Sequence, residues 1–159
     1  MIRHRAAQRP ATNTFSRIPQ PLGWGGCHFV GDKRHYDDFP ENSSDEGHFI
    51  QVAYRWCIGP SGGFDDFFNH SCEPNSFIKI DGSSVVLHAL KEILPGEEIV
   101  FDYSITMDED CWEMPCNCGS KDCRGKIVDF KKLPSAVSQK YFSLGIVPDF
   151  IAQKSVVER

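Results

Sequence analysis

No apolar run in this 159-residue chain comes near the roughly 18 residues that a bilayer-crossing helix needs, so no membrane span is expected. No apolar segment follows the basic opening MIRHRAAQRPATNTFSR, and without one a secretory leader is not expected either. The expectation is an intracellular protein, cytoplasmic, or nuclear in a eukaryote. Internal repeats and low-complexity segments are also missing. An even cysteine count is missing too: there are seven. A disulfide framework would leave one thiol over, so reduced cysteines, some of them holding metal, fit better. Nor is there a basic excess. The net charge is -5, and the acids cluster at 37–39, 45–47, 65–66 and 107–113. Such a surface repels phosphate backbones and suits a basic, lysine-rich peptide. The expectation is therefore a basic protein partner and no direct nucleic acid. Asp108, Glu109 and Asp110 are the acids chosen as the border of a peptide groove.

What is there is enough chain for one domain with a core, read as mainly β. Residues 1–22 are polar, carry Pro10, Pro19 and Pro21, and read as a tail or extended lead-in. GWGGCHFV (23–30) ends in a short strand-like run, and 31–47 reads as a charged loop. HFIQVAYRW (48–56) reads as β, followed by a turn at GPSGG (59–63). SFIKI (76–80) and SVVLHAL (84–90) flank Asp81 and Gly82, a strong hairpin signal. In LPGEE (94–98), Gly96 stands where a type II turn needs positive φ. EIVFDY (98–103) reads as a strand and KIVDF (126–130) as a last short one. From Pro134 to Leu144, Val137, Tyr141, Phe142 and Leu144 follow helical spacing, with Gly145 as the cap.

Two stretches carry chemistry. CNCGSKDC places Cys116, Cys118 and Cys123 within eight residues, with Gly119 to let the backbone fold sharply around one ion. A structural zinc site wants four tetrahedral ligands. From the residues alone, the fourth is Cys72, Cys111, Cys27, Cys57 or a histidine. The other stretch, FFNHSCEPNS (67–76), runs from two aromatic residues into Asn69, His70, Ser71 and Cys72.

NHSCEPN (69–75), GEEIVFDY (96–103) and CNCGSKDCRG (116–125), in that order and at that spacing, resemble a SET domain followed by its post-SET zinc segment. That family methylates protein lysines with S-adenosylmethionine. The resemblance implies several small β-sheets around a knot-like crossing, where the segment after NHSC meets GEEIVFDY; the spacing over 134–144 adds a short C-terminal helix. It implies that Asn69 and His70 line the cofactor pocket, largely through main-chain and amide hydrogen bonds. It implies that Cys72 joins Cys116, Cys118 and Cys123 on one zinc, that Phe67 and Phe68 anchor the stretch in the core, and that Tyr103 is the catalytic tyrosine.

A phenol with a pKa near ~10 positions an amine rather than deprotonating it at neutral pH. Phe101, two residues before Tyr103, is the alternative core aromatic. Gly23, Trp24 and Gly25 are the candidates for the family's glycine-rich cofactor strand. Only 43 residues lie between Gly25 and Asn69, which implies a reduced or divergent N-terminal part. Asp66 stands where many histone-directed members carry an arginine. The expected organisation is a tail (1–22), a SET-like domain (23–110), a post-SET zinc segment (111–130), and a C-terminal helix and tail (131–159). The leading function is S-adenosylmethionine-dependent methyl transfer to a protein lysine. The alternative is an inactive SET-like zinc module that binds a basic partner.

Overall fold

The computed structural model describes residues 27–28, 32–38, 49–82, 84–109 and 112–157. The strands are β1 (Cys27–His28), β2 (Arg34–His35), β3 (Ile50–Ala53), β4 (Trp56–Ile58), β5 (Asn69–His70), β6 (Ser76–Asp81), β7 (Ser84–Ala89), β8 (Val100–Phe101), β9 (Glu113–Pro115) and β10 (Lys126–Val128). Two helices follow, α1 (Ser135–Ser143) and α2 (Asp149–Val157). The strands form small sheets in the orders β1-β7-β6, β2-β4-β3, β5-β8 and β10-β9. No described helix is long and apolar enough to cross a membrane.

The hairpin read at Asp81 and Gly82 is the longest pairing. β6 and β7 run antiparallel from Ser76 opposite Ala89 to Asp81 opposite Ser84, and Gly82 takes the left-handed φ of 58° that this turn requires. Alternation along β7 buries Val85 and Leu87, which pack with Val52, Ile58, Ile78 and Phe101. The Pro95-Gly96 turn forms as expected, with Gly96 at φ 92° and Glu97 N–H donating to the Leu94 carbonyl at 3.0 Å. The last short strand pairs as β10 with β9, and α1 ends near Gly145, at φ 66°.

Three readings change. The run 48–56 is not one strand but a hairpin: β3 stops at Ala53, and Ala53 pairs with Trp56 of β4. The turn hides because Arg55, not a glycine or asparagine, takes the left-handed φ of 60°. The strand read over 98–103 shrinks to β8. Asp102 accepts a hydrogen bond from Ser104 N–H and so caps a 3-10 turn over Tyr103–Thr106. The third change is α2, a second helix where the sequence pattern predicts tail. It starts after Pro148, whose carbonyl accepts from Ile151 and Ala152 N–H, and it carries Asp149 in its first turn. Pro148 and Asp149 were the available signal.

Both helices pack on that 3-10 turn. Ile105, Phe130, Leu133, Tyr141, Ile146 and Ile151 form one buried cluster. A third cluster joins Met107, Trp112, Met114, Cys116 and Ile127. Tyr103 borders both the first and the third cluster, so it lies where the sheet core meets the cysteine segment.

Candidate active site and metal centre

The site is built where β5 and β8 lie side by side in parallel, Asn69 opposite Val100 and His70 opposite Phe101. This is the meeting of the two segments expected to cross. Ser71 N–H donates to the Phe101 carbonyl at 3.1 Å. Alternation then turns the main-chain groups of Val100 away from β5, where Asn75 and Ser76 take them. Val100 N–H donates to Asn75 Oδ1 at 2.9 Å. Its carbonyl accepts from Asn75 N–H at 3.2 Å and from Ser76 Oγ at 2.8 Å. Asn75 Nδ2 donates to the Glu98 carbonyl at 2.8 Å. By the same alternation, His70 turns its own N–H and C=O to the edge away from β8. The Asn69 side chain bonds Glu98 Oε1 at 2.7 Å.

The His70 side chain is fully buried. Burial pulls its pKa down to about 4, outweighing the nearby Asp102 carboxylate, which raises it. The ring is therefore neutral near pH 7 and carries one N–H. Its Nδ1 accepts from Tyr103 N–H at 3.2 Å, so the proton sits on Nε2. Nε2 lies 3.4 Å from Cys72 Sγ and donates to it. The Asp102 Oδ1 contact with Nδ1, at 3.4 Å, then sets two acceptors side by side, and the carboxylate finds its donors elsewhere.

Tyr103 stands edge-on to the His70 ring, centroids 5.4 Å apart, and 4.9 Å from the Phe101 ring. Its hydroxyl donates to the Phe68 carbonyl at 2.7 Å. Burial raises its pKa, and the Glu98 carboxylate adds to the shift. The hydroxyl has a single proton, already given to Phe68. Toward any third group it can only accept.

The cysteines converge. Cys72 Sγ lies 3.7 Å from Cys116 Sγ, and Cys123 Sγ lies 3.6 Å from Cys116 Sγ. A disulfide would bring two sulfurs to about 2.05 Å. Four sulfurs about 2.3 Å from one tetrahedral ion stand about 3.8 Å apart, close to what is seen. Cys118 Sγ, Cys72 Sγ, Cys116 Sγ and His70 Nε2 lie within 4.8 Å of one another. The Nε2–H tautomer gives His70 Nε2 no lone pair for an ion, and Cys123 Sγ, 3.6 Å from Cys116 Sγ, is the alternative fourth ligand atom. Burial raises the Cys116 thiol. For Cys118, burial pushes upward, but hydrogen bonds from the Cys72 backbone and from Ser120 win and bring it to about 6. The thiols are thus held by donors suited to thiolates: Arg124 N–H on Cys72 Sγ at 3.4 Å and Gly125 N–H on Cys123 Sγ at 3.5 Å. Gly119 bends the loop at φ 69°, as its place in CNCGSKDC suggested.

Sequence reasoning missed Asp102. It is fully buried and collects donors from three parts of the chain. Arg124 Nη2 lies 2.8 Å from both of its oxygens, Tyr141 OH donates to Oδ2 at 2.7 Å, and Ser104 N–H donates to Oδ1 at 3.1 Å. Its place beside Tyr103 was the only sequence signal.

A family model described as SET domain matches residues 2–104. The chain belongs to the SET domain family. Over 62 residues, 36% of this chain, it is 47% identical to histone-lysine N-methyltransferase 2B of Homo sapiens. Over 69 residues, 40% of this chain, it is 44% identical to the H3 lysine-4 specific histone-lysine N-methyltransferase of Emericella nidulans. Those stretches are 2% and 6% of the two relatives, so this chain spans a small fraction of the curated proteins that it matches. Among solved structures, KRYPTONITE in complex with mCHG DNA and SAH aligns with a TM-score of 0.51 and 29% identity. The alignment covers 64% of this chain and 23% of that one.

Asn69, His70, Cys72 and Tyr103 fall in one neighbourhood with Cys116, Cys118 and Cys123, which lie beyond the matched stretch. Gly23, Trp24 and Gly25 lie outside the described residues, as do Asp110 and Cys111. Phe68 packs against the sheet core, while Phe67 closes a 3-10 turn over Phe64–Phe67. Asp66 accepts from Ser61 N–H at 3.0 Å and from Gly62 N–H at 2.7 Å, closing the glycine turn. Asp108 changes its reading. It is buried, and Lys154 Nζ of α2 pairs with it at 2.9 Å, so it anchors the second helix instead of facing a peptide.

Proposed function

We propose that this SET domain transfers a methyl group from S-adenosylmethionine to a lysine side chain of a basic protein. The observation that carries the reading is the Tyr103 hydroxyl, committed to the Phe68 carbonyl at 2.7 Å beside the His70 edge of β5. S-adenosylmethionine, when bound, would supply an electrophilic methyl group on sulfonium; as the N–C bond forms the C–S bond breaks, leaving a neutral thioether and the positive charge on the methylated amine. The donor and acceptor that His70 turns away from β8 suit the donor–acceptor edge of an adenine, and Asn69 flanks them.

The attacking amine must be neutral, and a free lysine has a pKa near ~10.4. Desolvation beside Phe68, Phe101 and Tyr103 favours the neutral form. The Tyr103 oxygen, able only to accept, takes one amine N–H. The nitrogen lone pair is then left free to point along the line of attack. Tyr103 orients the amine and removes no proton, in keeping with its raised pKa.

The four cysteines, Cys72, Cys116, Cys118 and Cys123, would hold one zinc, closed to substrate and structural in role. The relatives are named histone-lysine N-methyltransferases, so a histone tail is the first substrate to try. Direct nucleic-acid binding is not part of this proposal, given the net charge of -5.

The deciding experiment is Tyr103→Phe. The substitution keeps the ring and removes a hydrogen bond whose net contribution to stability is about 1 kcal/mol. Fold, metal content and cofactor affinity should persist, while kcat on a histone peptide falls about 100-fold. Turnover equal to wild type would overturn the assignment. A wild-type chain that fails to bind S-adenosylmethionine in calorimetric titration would favour the inactive zinc module that binds a basic partner.

A further inference from the structure

We infer that Arg124 is a positioning residue that ties the cysteine cluster to the Asp102–Tyr103 segment, with Tyr141 of α1 as the second clamp. The inference rests on the methyltransferase reading for its kinetic consequence, though not for its geometry.

Arg124 is the residue after Cys123, and its two ends serve two sites. Its main-chain N–H donates to Cys72 Sγ at 3.4 Å. Its guanidinium reaches the other way. Nη2 lies 2.8 Å from both Asp102 oxygens and 3.4 Å from Ser104 Oγ. The Asp102 and Ser104 side chains are both buried, and the Arg124 side chain is 12% exposed. Its Nε is buried with no hydrogen-bond partner among the described residues. A guanidinium placed for its own solvation would not leave that donor idle. The position is explained by the carboxylate.

Asp102 needs this cation. A carboxylate withdrawn from water is tolerable only when paired and hydrogen-bonded. Tyr141 OH supplies the second oxygen with a donor at 2.7 Å, from a helix beyond the matched family model. Asp102 in turn caps the turn that begins at Tyr103, and Tyr103 N–H is spent on His70 Nδ1. If Asp102 moves, the Tyr103 main chain moves with it, and the phenol is carried off the Phe68 carbonyl. Loss of the ion frees the loop that holds Arg124, and the carboxylate then loses its cation. Metal occupancy thus reaches the amine-orienting hydroxyl through Arg124 and Asp102, beside the route that runs from Cys72 through the His70 ring to Tyr103 N–H.

The test uses the full metal-loaded chain. Arg124→Gln removes the cation. The double variant Asp102→Asn with Arg124→Gln also removes the charge that would otherwise be stranded, so that folding is preserved. Three quantities are measured: metal per chain, the Tyr103 amide and His70 ring-nitrogen resonances by NMR, and kcat and KM with S-adenosylmethionine and a histone peptide. Both variants should keep their metal and show displaced Tyr103 and His70 resonances. Chelation of the wild type should move the same resonances in the same direction. In both variants kcat should fall about 10- to 100-fold, with KM for the cofactor within about twofold of wild type. Tyr141→Phe should show a smaller loss, and Arg124→Lys should recover part of it.

Unmoved resonances in the metal-loaded variants would overturn the inference. So would metal loss in both Arg124 variants, since Arg124 would then serve only the cluster. If the wild type methylates no peptide, the resonances alone decide the coupling, and it is the catalytic reading that fails.

Discussion

Asn75, the last residue of NHSCEPN, is a structural pin whose removal can be worked out in advance. It is buried, at 6% exposure, and its side chain bonds both ends of one short stretch. Nδ2 donates to the Glu98 carbonyl at 2.8 Å, and Oδ1 accepts from Val100 N–H at 2.9 Å. Asn75→Ala removes both. The Glu98 residue is exposed, so its carbonyl recovers a water, and that loss is about 0.5–1 kcal/mol. Val100 is half-buried, and its orphaned N–H costs about 1–2 kcal/mol. The sum is about 1.5–3 kcal/mol, a fall in Tm of about 3–12 °C for a chain of this size.

Asn75→Asp should be no milder. It keeps the acceptor for Val100 but sets an oxygen against the Glu98 carbonyl and brings a charge into a buried position. Urea unfolding of the metal-loaded protein, followed by tryptophan fluorescence with Trp112 buried in the third cluster, measures both variants. An Ala variant within about 0.5 kcal/mol of wild type, the range of an ordinary surface change, would refute the reasoning. An Asp variant of wild-type stability would show that the Glu98 bond contributes nothing.

Purified protein should carry one zinc per chain. His70→Gln should retain it and Cys123→Ser should not, read by metal analysis and by the sulfur-to-metal band after cobalt exchange; the reverse ranking would put His70 on the ion. Burial raises the Tyr103 and Tyr141 phenols above their unfolded value near ~10. Their contribution is therefore complete below about pH 10 and declines as pH rises beyond it; a urea midpoint unchanged between pH 9 and 11 would contradict this. Lys154→Ala should lower stability by about 1–2 kcal/mol, because it leaves the buried Asp108 carboxylate without its ion pair. Asp108→Lys should lower the melting temperature as well, and a variant that only weakens peptide binding would restore Asp108 to the surface.

The legible parts of this fold are those written into the backbone or into close spacing. Asp81-Gly82, Pro95-Gly96, Gly119 and Gly145 announce turns because glycine takes left-handed conformations at little steric cost. Cys116, Cys118 and Cys123 announce a cluster because eight residues cannot hold three thiols far apart. Arg55 takes the same left-handed conformation as those glycines with no such signature, so the β3-β4 hairpin looked like one strand. Tyr103 looked like the end of a strand because EIVFDY has strand composition; the carboxylate of Asp102 ends it by capping the next turn.

Asp102 also shows why the site was harder to read than the fold. Among 22 acidic residues nothing local beyond its place beside Tyr103 separates it from a solvated surface acid. What sets it apart is a set of distant partners, Arg124 within the metal loop and Tyr141 within a helix otherwise read only for its apolar spacing. Each partner has a sufficient local explanation of its own: Arg124 as a loop charge, Tyr141 as a helix-face aromatic. Their polar atoms acquire a role only when the folded chain delivers them to one carboxylate, 22 and 39 residues away. In a domain assembled from strands of two to six residues, such long-range pairings hold the pieces in register. The residues inferred to align the Tyr103 hydroxyl are therefore the ones that local sequence describes least.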